Sequence, residues 1–132
     1  MSEADSPDGM TEAQRRKRSK DIYEAVIRTV DFNSGRAQPP LAKQSSVIGS
    51  LHSAGYGSYG LDSLHDAIVA ATANGDLFRA KDAHGDPRLG INDEQKLVEK
   101  IESNLSYDDD PRTDVIGLAN RRIAFLRGDQ DD

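Results

Sequence analysis

Apolar residues recur at helical spacing in five stretches of the chain, and the gaps between them carry turn chemistry. In the central stretch Leu61, Leu64, Ile68 and Ala71 stand three and four apart, which gathers them on one face of a helix over residues 61–74. Gly75 follows as its stop, where a left-handed backbone costs glycine least. Upstream, Ile22, Val26, Ile27 and Val30 mark the buried face of a first packed helix that begins at Asp21, with Tyr23 at its margin. Residues 31–35 end it. Gln38-Pro39-Pro40-Leu41 is an extended connector, because residues before proline avoid the helical region, and Leu41 is the side chain expected to be buried from it. A second helix over residues 43–54 turns Val47, Ile48 and Leu51 inward and stops at Gly55. Tyr56-Gly57-Ser58-Tyr59-Gly60 is then the turn into the central helix, with the two tyrosines expected to cap a small core.

Past Gly75 the pattern shortens to strands. Leu77-Phe78-Arg79-Ala80 and Arg88-Leu89-Gly90-Ile91 flank a polar tip, residues 82–87, and predict a β-hairpin. Asn92, as N-cap with Gln95 three residues on, opens a fourth helix over residues 93–105, with Leu97, Val98, Ile101 and Leu105 on one stripe. Asp110-Pro111 repeats the start signal for a fifth helix that reaches Arg127 and stops at Gly128. Its stripe of Val115, Ile116, Ala119, Ile123 and Leu126, with Phe125 beside it, lies opposite Arg121, Arg122 and Arg127. Such a stripe needs a surface: the first helix of its own chain, or a second copy. Ile116, Ala119, Ile123 and Leu126 are therefore the expected dimer or partner interface.

The ends are different. Residues 1–10 have no periodicity and are rich in Ser, Asp, Glu, Gly and Pro, a composition expected to be disordered. Thr11-Glu12-Ala13-Gln14 fits a capping box, and Arg15, Arg16, Lys17, Arg18 and Lys20 follow without an apolar face. This segment is either an exposed helical extension or a flexible basic arm along phosphates. Residues 129–132 make an acidic tail.

Composition narrows the function. The 132 residues suit one domain, and hydrophobic and aromatic contents of 36% and 5% imply that part of the chain is solvated. Cysteine is absent, which removes disulfides, thiolate metal sites and a cysteine nucleophile. No apolar run has the length of a membrane span and the N-terminus lacks signal-peptide character, so a cytoplasmic protein is expected. His52, His65 and His84 have no metal-ligand spacing, and residues 108–110 lack the glycine and glutamate of a calcium loop. Asp62 and Asp66 flank His65 on one helix, but their neighbours are Ala, Val and Thr, and first-turn acids suit the helix dipole. No phosphate loop, nucleophile elbow or dinucleotide fingerprint occurs. No enzyme, cofactor or metal is expected.

The order of helix, turn, second helix and hairpin, carried above all by residues 64–79 with their apolar helix face, Asn-Gly-Asp and Leu-Phe-Arg, resembles the winged helix-turn-helix DNA-binding family. That resemblance implies a mainly α protein with a small β-hairpin (α+β), the winged-helix domain spanning residues 20–105. It would follow an arm at 1–19 and precede a C-terminal helix at 106–128. It implies double-stranded DNA as partner and the third helix in the major groove. The contact residues would be Ser58, Tyr59, Ser63 and His65 with Asp62 and Asp66 nearby, the wing residues Arg79, Lys81, His84 and Arg88, and the basic segment Arg15, Arg16, Lys17, Arg18 and Lys20. Members commonly dimerise through helices outside the motif.

The net charge of −6, from 17 basic and 23 acidic residues, runs against DNA. Aspartate far outnumbers glutamate and arginine outnumbers lysine, a bias that resembles proteins of salt-loving archaea. In roughly 1 M salt the Debye length is about 3 Å, so distant carboxylates would hardly repel DNA. Two functions follow as expectations: a non-enzymatic DNA-binding transcriptional regulator, or a winged-helix module that docks on protein in a transcription, replication or RNA-processing assembly. The sign of the face shared by arm, wing and third helix separates them.

Overall fold

Thr11 caps the first helix as its spacing predicts. Its hydroxyl accepts the Gln14 N–H at 3.0 Å, and its own N–H donates to the Gln14 carboxamide at 2.8 Å. In the computed structural model, which describes residues 11–36, 38–103 and 114–128, this cap opens α1 (Glu12–Phe32). The helix is continuous through the basic segment, so that segment is a helical extension, and the expected boundary at residues 19 and 20 falls inside α1. The disorder expected of residues 1–10 and the tail at 129–132 lie outside the described residues.

The elements that follow are β1 (Ala42–Lys43), α2 (Gln44–Ser53), a 3₁₀ turn (Tyr56–Tyr59), α3 (Leu61–Ala73), β2 (Leu77–Lys81), β3 (Pro87–Ile91), α4 (Glu94–Glu102) and α5 (Val115–Leu126). The described fold is thus mainly helical with a small three-stranded antiparallel sheet, an α+β arrangement. The strand order is β1-β3-β2, with Ala42 opposite Leu89 and Phe78 opposite Gly90. The connector before β1 buries Leu41 completely, as the proline pair implied.

The period of two along the strands puts the sheet between two apolar layers. Leu77 and Leu89 join Ile22, Val26, Val47, Leu51, Leu64 and Ile68 in the core of α1, α2 and α3. Phe78 points the other way, into a second core with Leu41, Leu97, Val115, Ala119 and Ile123. Gly90 makes this second layer possible. A Cβ built there would stand 2.6 Å from both the Phe78 ring and the Leu41 side chain. The absence of a side chain at Gly90 is what lets the two close over the sheet.

Several expectations shift by a residue or a face. Leu61 is 57% exposed, so the buried stripe of α3 starts at Leu64. Asp93, not Asn92, caps α4, its carboxylate accepting from Lys96 N–H at 2.9 Å. Asn92 instead donates to the Gly75 carbonyl and accepts from Arg122, stitching the hairpin base to α5. The described part of α4 ends at Glu102, and Leu105 and the Asp110-Pro111 start signal lie outside the described residues.

The fifth helix packs on its own chain, against α4 and the back of the sheet and not on α1. Val115, Ala119 and Ile123 are buried, while Ile116 and Leu126 are half-covered. Burying Val115 and Ile123 is worth about 1.5–3 kcal/mol each. Ala119 and Ile123, expected at a dimer or partner interface, are therefore spent inside the monomer. Arg122 does not stand opposite the stripe either. Its guanidinium lies 5.0 Å from the Phe78 ring centre and 4.5 Å from that of Phe125, clasping α5 to β2.

Candidate nucleic-acid interface

The residues expected to meet a duplex fall into two cationic groups with α3 as a third surface. The first group sits on the opening turns of α1. Arg15, Arg16, Lys17 and Lys20 are exposed there. Arg16 pairs with Glu12 and Lys17 with Asp21, both at 3.1 Å and one helical turn apart. Exposed pairs of this kind are worth about 0.3–0.5 kcal/mol, too little to hold either cation against a phosphate. Arg18 differs from its neighbours. Its Nη2 donates to the Tyr59 carbonyl at 3.0 Å and its guanidinium lies 4.5 Å from the Tyr59 ring centre.

That contact fixes α1 against the turn before α3. Tyr59 in turn meets Tyr56 edge to face, ring centres 5.9 Å apart, and both rings pack partly buried on the first core. The tyrosines therefore serve the core, as their sequence context suggested. Ser58 is exposed and its hydroxyl donates to the Gly55 carbonyl, which tightens the turn.

The outward face of α3 carries Leu61, Asp62, His65, Asp66 and Val69, with Val69 63% exposed. Ser63 is half-buried beside α1 rather than outward. From Leu61 to Ala73 the helix has no Lys, Arg, Asn or Gln, the side chains that make bidentate contacts with purine edges. His65 is its one outward ring donor. The central helix presents an acidic and apolar surface.

The second cationic group is on the hairpin. Arg79 and Lys81 are exposed on β2 and His84 is exposed at the tip. Arg88 is not part of it. That side chain is 4% exposed, its Nε donates to Asp82 at 2.9 Å, and its Nη1 donates to the Leu41 carbonyl at 3.2 Å. Asp82 is itself wholly covered, and its other oxygen accepts from the N–H groups of His84 and Asp86 at 2.9 and 3.0 Å. Burial pushes this carboxyl up. The Arg88 hydrogen bond, the two backbone N–H donors and the Arg88 charge together outweigh that push and hold it below the usual carboxylate range. Arg88 fastens the tip to the chain entering β1 and has no free face for a phosphate.

Lys43 takes a place in this second group that sequence did not suggest. Exposed on β1, it pairs across the sheet with Arg88's position and reaches Asp86 at 3.7 Å. Only the antiparallel register brings residue 43 to the hairpin, and no local pattern announces it.

Among the described residues no cluster of three or more histidines and carboxylates stands close enough to hold a metal ion. No described helix is long and apolar enough to cross a membrane. Comparison of the chain with protein-family models, with curated proteins and with solved structures gives no match.

Proposed function

We propose that the chain is a winged-helix protein that binds double-stranded DNA and serves as a transcriptional regulator, gripping the duplex mainly through phosphates. The observation that carries this reading is the arrangement of elements. A three-helix core is followed by a hairpin whose strands pair in the order β1-β3-β2, with exposed Arg79, Lys81 and His84 along and at the tip of the hairpin. A wing of that shape lies along a sugar-phosphate backbone. On this reading the exposed cations of α1, Arg15, Arg16, Lys17 and Lys20, would add a second set of phosphate contacts. Phosphate contacts position a protein without reading sequence, which agrees with an α3 poor in base-reading side chains.

Binding to random duplex fragments across a salt series tests this directly. Each phosphate neutralised contributes about −0.9 to the slope of log K against log salt. Engagement of Arg15, Arg16, Lys17, Lys20, Arg79 and Lys81 would give a slope of about −5. No retention at low salt refutes the proposal.

A second reading rests on a different surface. Leu61 and Val69, 57% and 63% exposed, flank His65 on α3 with Asp62 and Asp66 beside them. An apolar stripe bordered by acids suits a partner protein with a basic, apolar face. On that reading the chain is an interaction module, and α3 rather than α5 is its docking helix.

A further inference from the structure

The hairpin has an open edge. In the sheet order β1-β3-β2, β2 pairs with β3 alone, and its register fixes which backbone groups that pairing uses. Asp82 N–H donates to the Asp86 carbonyl at 3.0 Å, and Asn92 N–H to the Asp76 carbonyl at 3.1 Å. Antiparallel ladders alternate bonded with non-bonded pairs, so Ala80 with Arg88 and Phe78 with Gly90 are the bonded pairs in between. Pro87, opposite Lys81, has no N–H and agrees with this phase. The N–H and C=O groups of Leu77, Arg79 and Lys81 therefore point away from β3. Leu77 is buried, whereas Arg79 and Lys81 are exposed, which leaves residues 79–81 as the open part. Among the described residues no hydrogen bond takes up the outward groups of Arg79 and Lys81, and neither side chain has an ion-pair partner.

An extended chain laid along this edge meets two backbone donors and two acceptors at the spacing of a β-ladder. The side chains choose which chain. Arg79 and Lys81 stand two residues apart and so share one face of the strand. A second copy is ill suited. Antiparallel pairing on the same groups sets Arg79 opposite Arg79 or Lys81 of the other copy, and like charges directly opposite destabilise a strand pair. A strand with carboxylates at alternate positions reverses the sign of both contacts. We propose that the 79–81 edge of β2 takes up an extended acidic segment of a partner protein as an added strand, its backbone bonded to residues 79 and 81 and its alternate carboxylates on their side chains. The proposal does not rest on the duplex reading, although both use the same two cations.

The test is a titration of the full chain with acetyl-Val-Glu-Val-Glu-Val-amide, followed by backbone amide NMR and hydrogen exchange. The Arg79 and Lys81 amides should shift saturably and gain protection, since they acquire acceptors. Methylating both glutamate nitrogens removes the peptide's donors to β2 and should weaken binding at least about tenfold, the loss expected for two backbone hydrogen bonds. Methylating the central valine nitrogen, which points away from β2, should change it by less than about twofold. The counterpart acetyl-Val-Lys-Val-Lys-Val-amide should give no response. On the protein, Lys81→Ala removes a charge, and Lys81→Pro removes the outward N–H as well, at an edge position where proline spares the ladder. Lys81→Pro should bind the glutamate peptide about threefold or more weakly than Lys81→Ala does. Absence of a saturable shift at residues 79 and 81, undiminished binding of the glutamate-methylated peptide, a response to the lysine peptide, or equal binding by the two Lys81 variants would overturn the proposal.

Discussion

Arg79→Ala and Arg88→Ala remove the same side chain from the same hairpin, and the structure assigns them opposite consequences. Arg79 is exposed, so its loss should leave stability within about 0.5 kcal/mol of the unmodified chain. Arg88→Ala leaves the Asp82 carboxylate covered with only two backbone N–H donors, and takes a donor from the Leu41 carbonyl. Breaking a buried pair from one side costs about 3–5 kcal/mol. For a chain of this size that is a fall in melting temperature on the order of 10–20 °C. Thermal and urea unfolding followed by circular dichroism would measure it, with Arg79→Ala as the matched control.

The pH dependence adds a second check. The Asp82 carboxyl is held below its ordinary value in the folded chain, so its stabilising contribution is fully present above that ordinary value. It is lost as pH falls through the lower folded value. Without Arg88 the buried carboxylate has no counter-charge, and protonation relieves it. The deficit of Arg88→Ala should therefore narrow as the pH is lowered into and below the ordinary carboxylate range, about pH 4. Equal melting of the two variants, or a deficit indifferent to acid, would refute the assignment of Arg88 to the hairpin's internal fastening.

Three further outcomes follow from the same geometry. The double change Arg79→Ala/Lys81→Ala should weaken binding to every duplex alike and flatten the salt slope by about 2, read from fluorescence titrations at several salt concentrations. Gly90→Ala drives a methyl toward Phe78 and Leu41 and should cost about 1–3 kcal/mol in urea unfolding. Ile123→Ala should cost about 2–5 kcal/mol while sedimentation gives an unchanged mass, since the residue is buried against its own chain.

Periodicity carried the helices and strands well, because each apolar stripe is a local signal of one buried face. The Thr11 cap, the Leu41 connector and the hairpin turn were legible from equally local signals: a capping box, a proline pair and a polar tip between two short apolar runs. What escaped were relations between distant residues. Arg88 reads as one more wing cation until Asp82, six positions back, folds beneath it. Lys43 is an ordinary helix-start residue until β1 pairs with β3. Arg122 belongs by sequence to the polar side of α5, yet two rings and Asn92 hold it. The apolar stripe of α5 was visible, but which surface it covered depended on Phe78 and Gly90 opening the far face of the sheet.

Salt cuts both ways for the DNA reading, and this gives it its hardest test. Strong screening removes the repulsion between duplex and a chain of net charge −6, but it removes the phosphate attraction as well. A slope of about −5 means a loss of roughly five decades in affinity for each decade of salt. Base contacts would have to replace that attraction, and α3 offers two aspartates, a histidine and two exposed aliphatic side chains for the purpose. Apolar association, by contrast, is strengthened or spared by many salts. Duplex binding through the α1 and hairpin cations should thus vanish by roughly 1 M salt, where screening reaches about 3 Å. A contact made by Leu61 and Val69 should persist. Duplex retained at that salt, and lost on Leu61→Ser/Val69→Ser but not on Arg79→Ala/Lys81→Ala, would overturn the phosphate grip and move recognition onto α3.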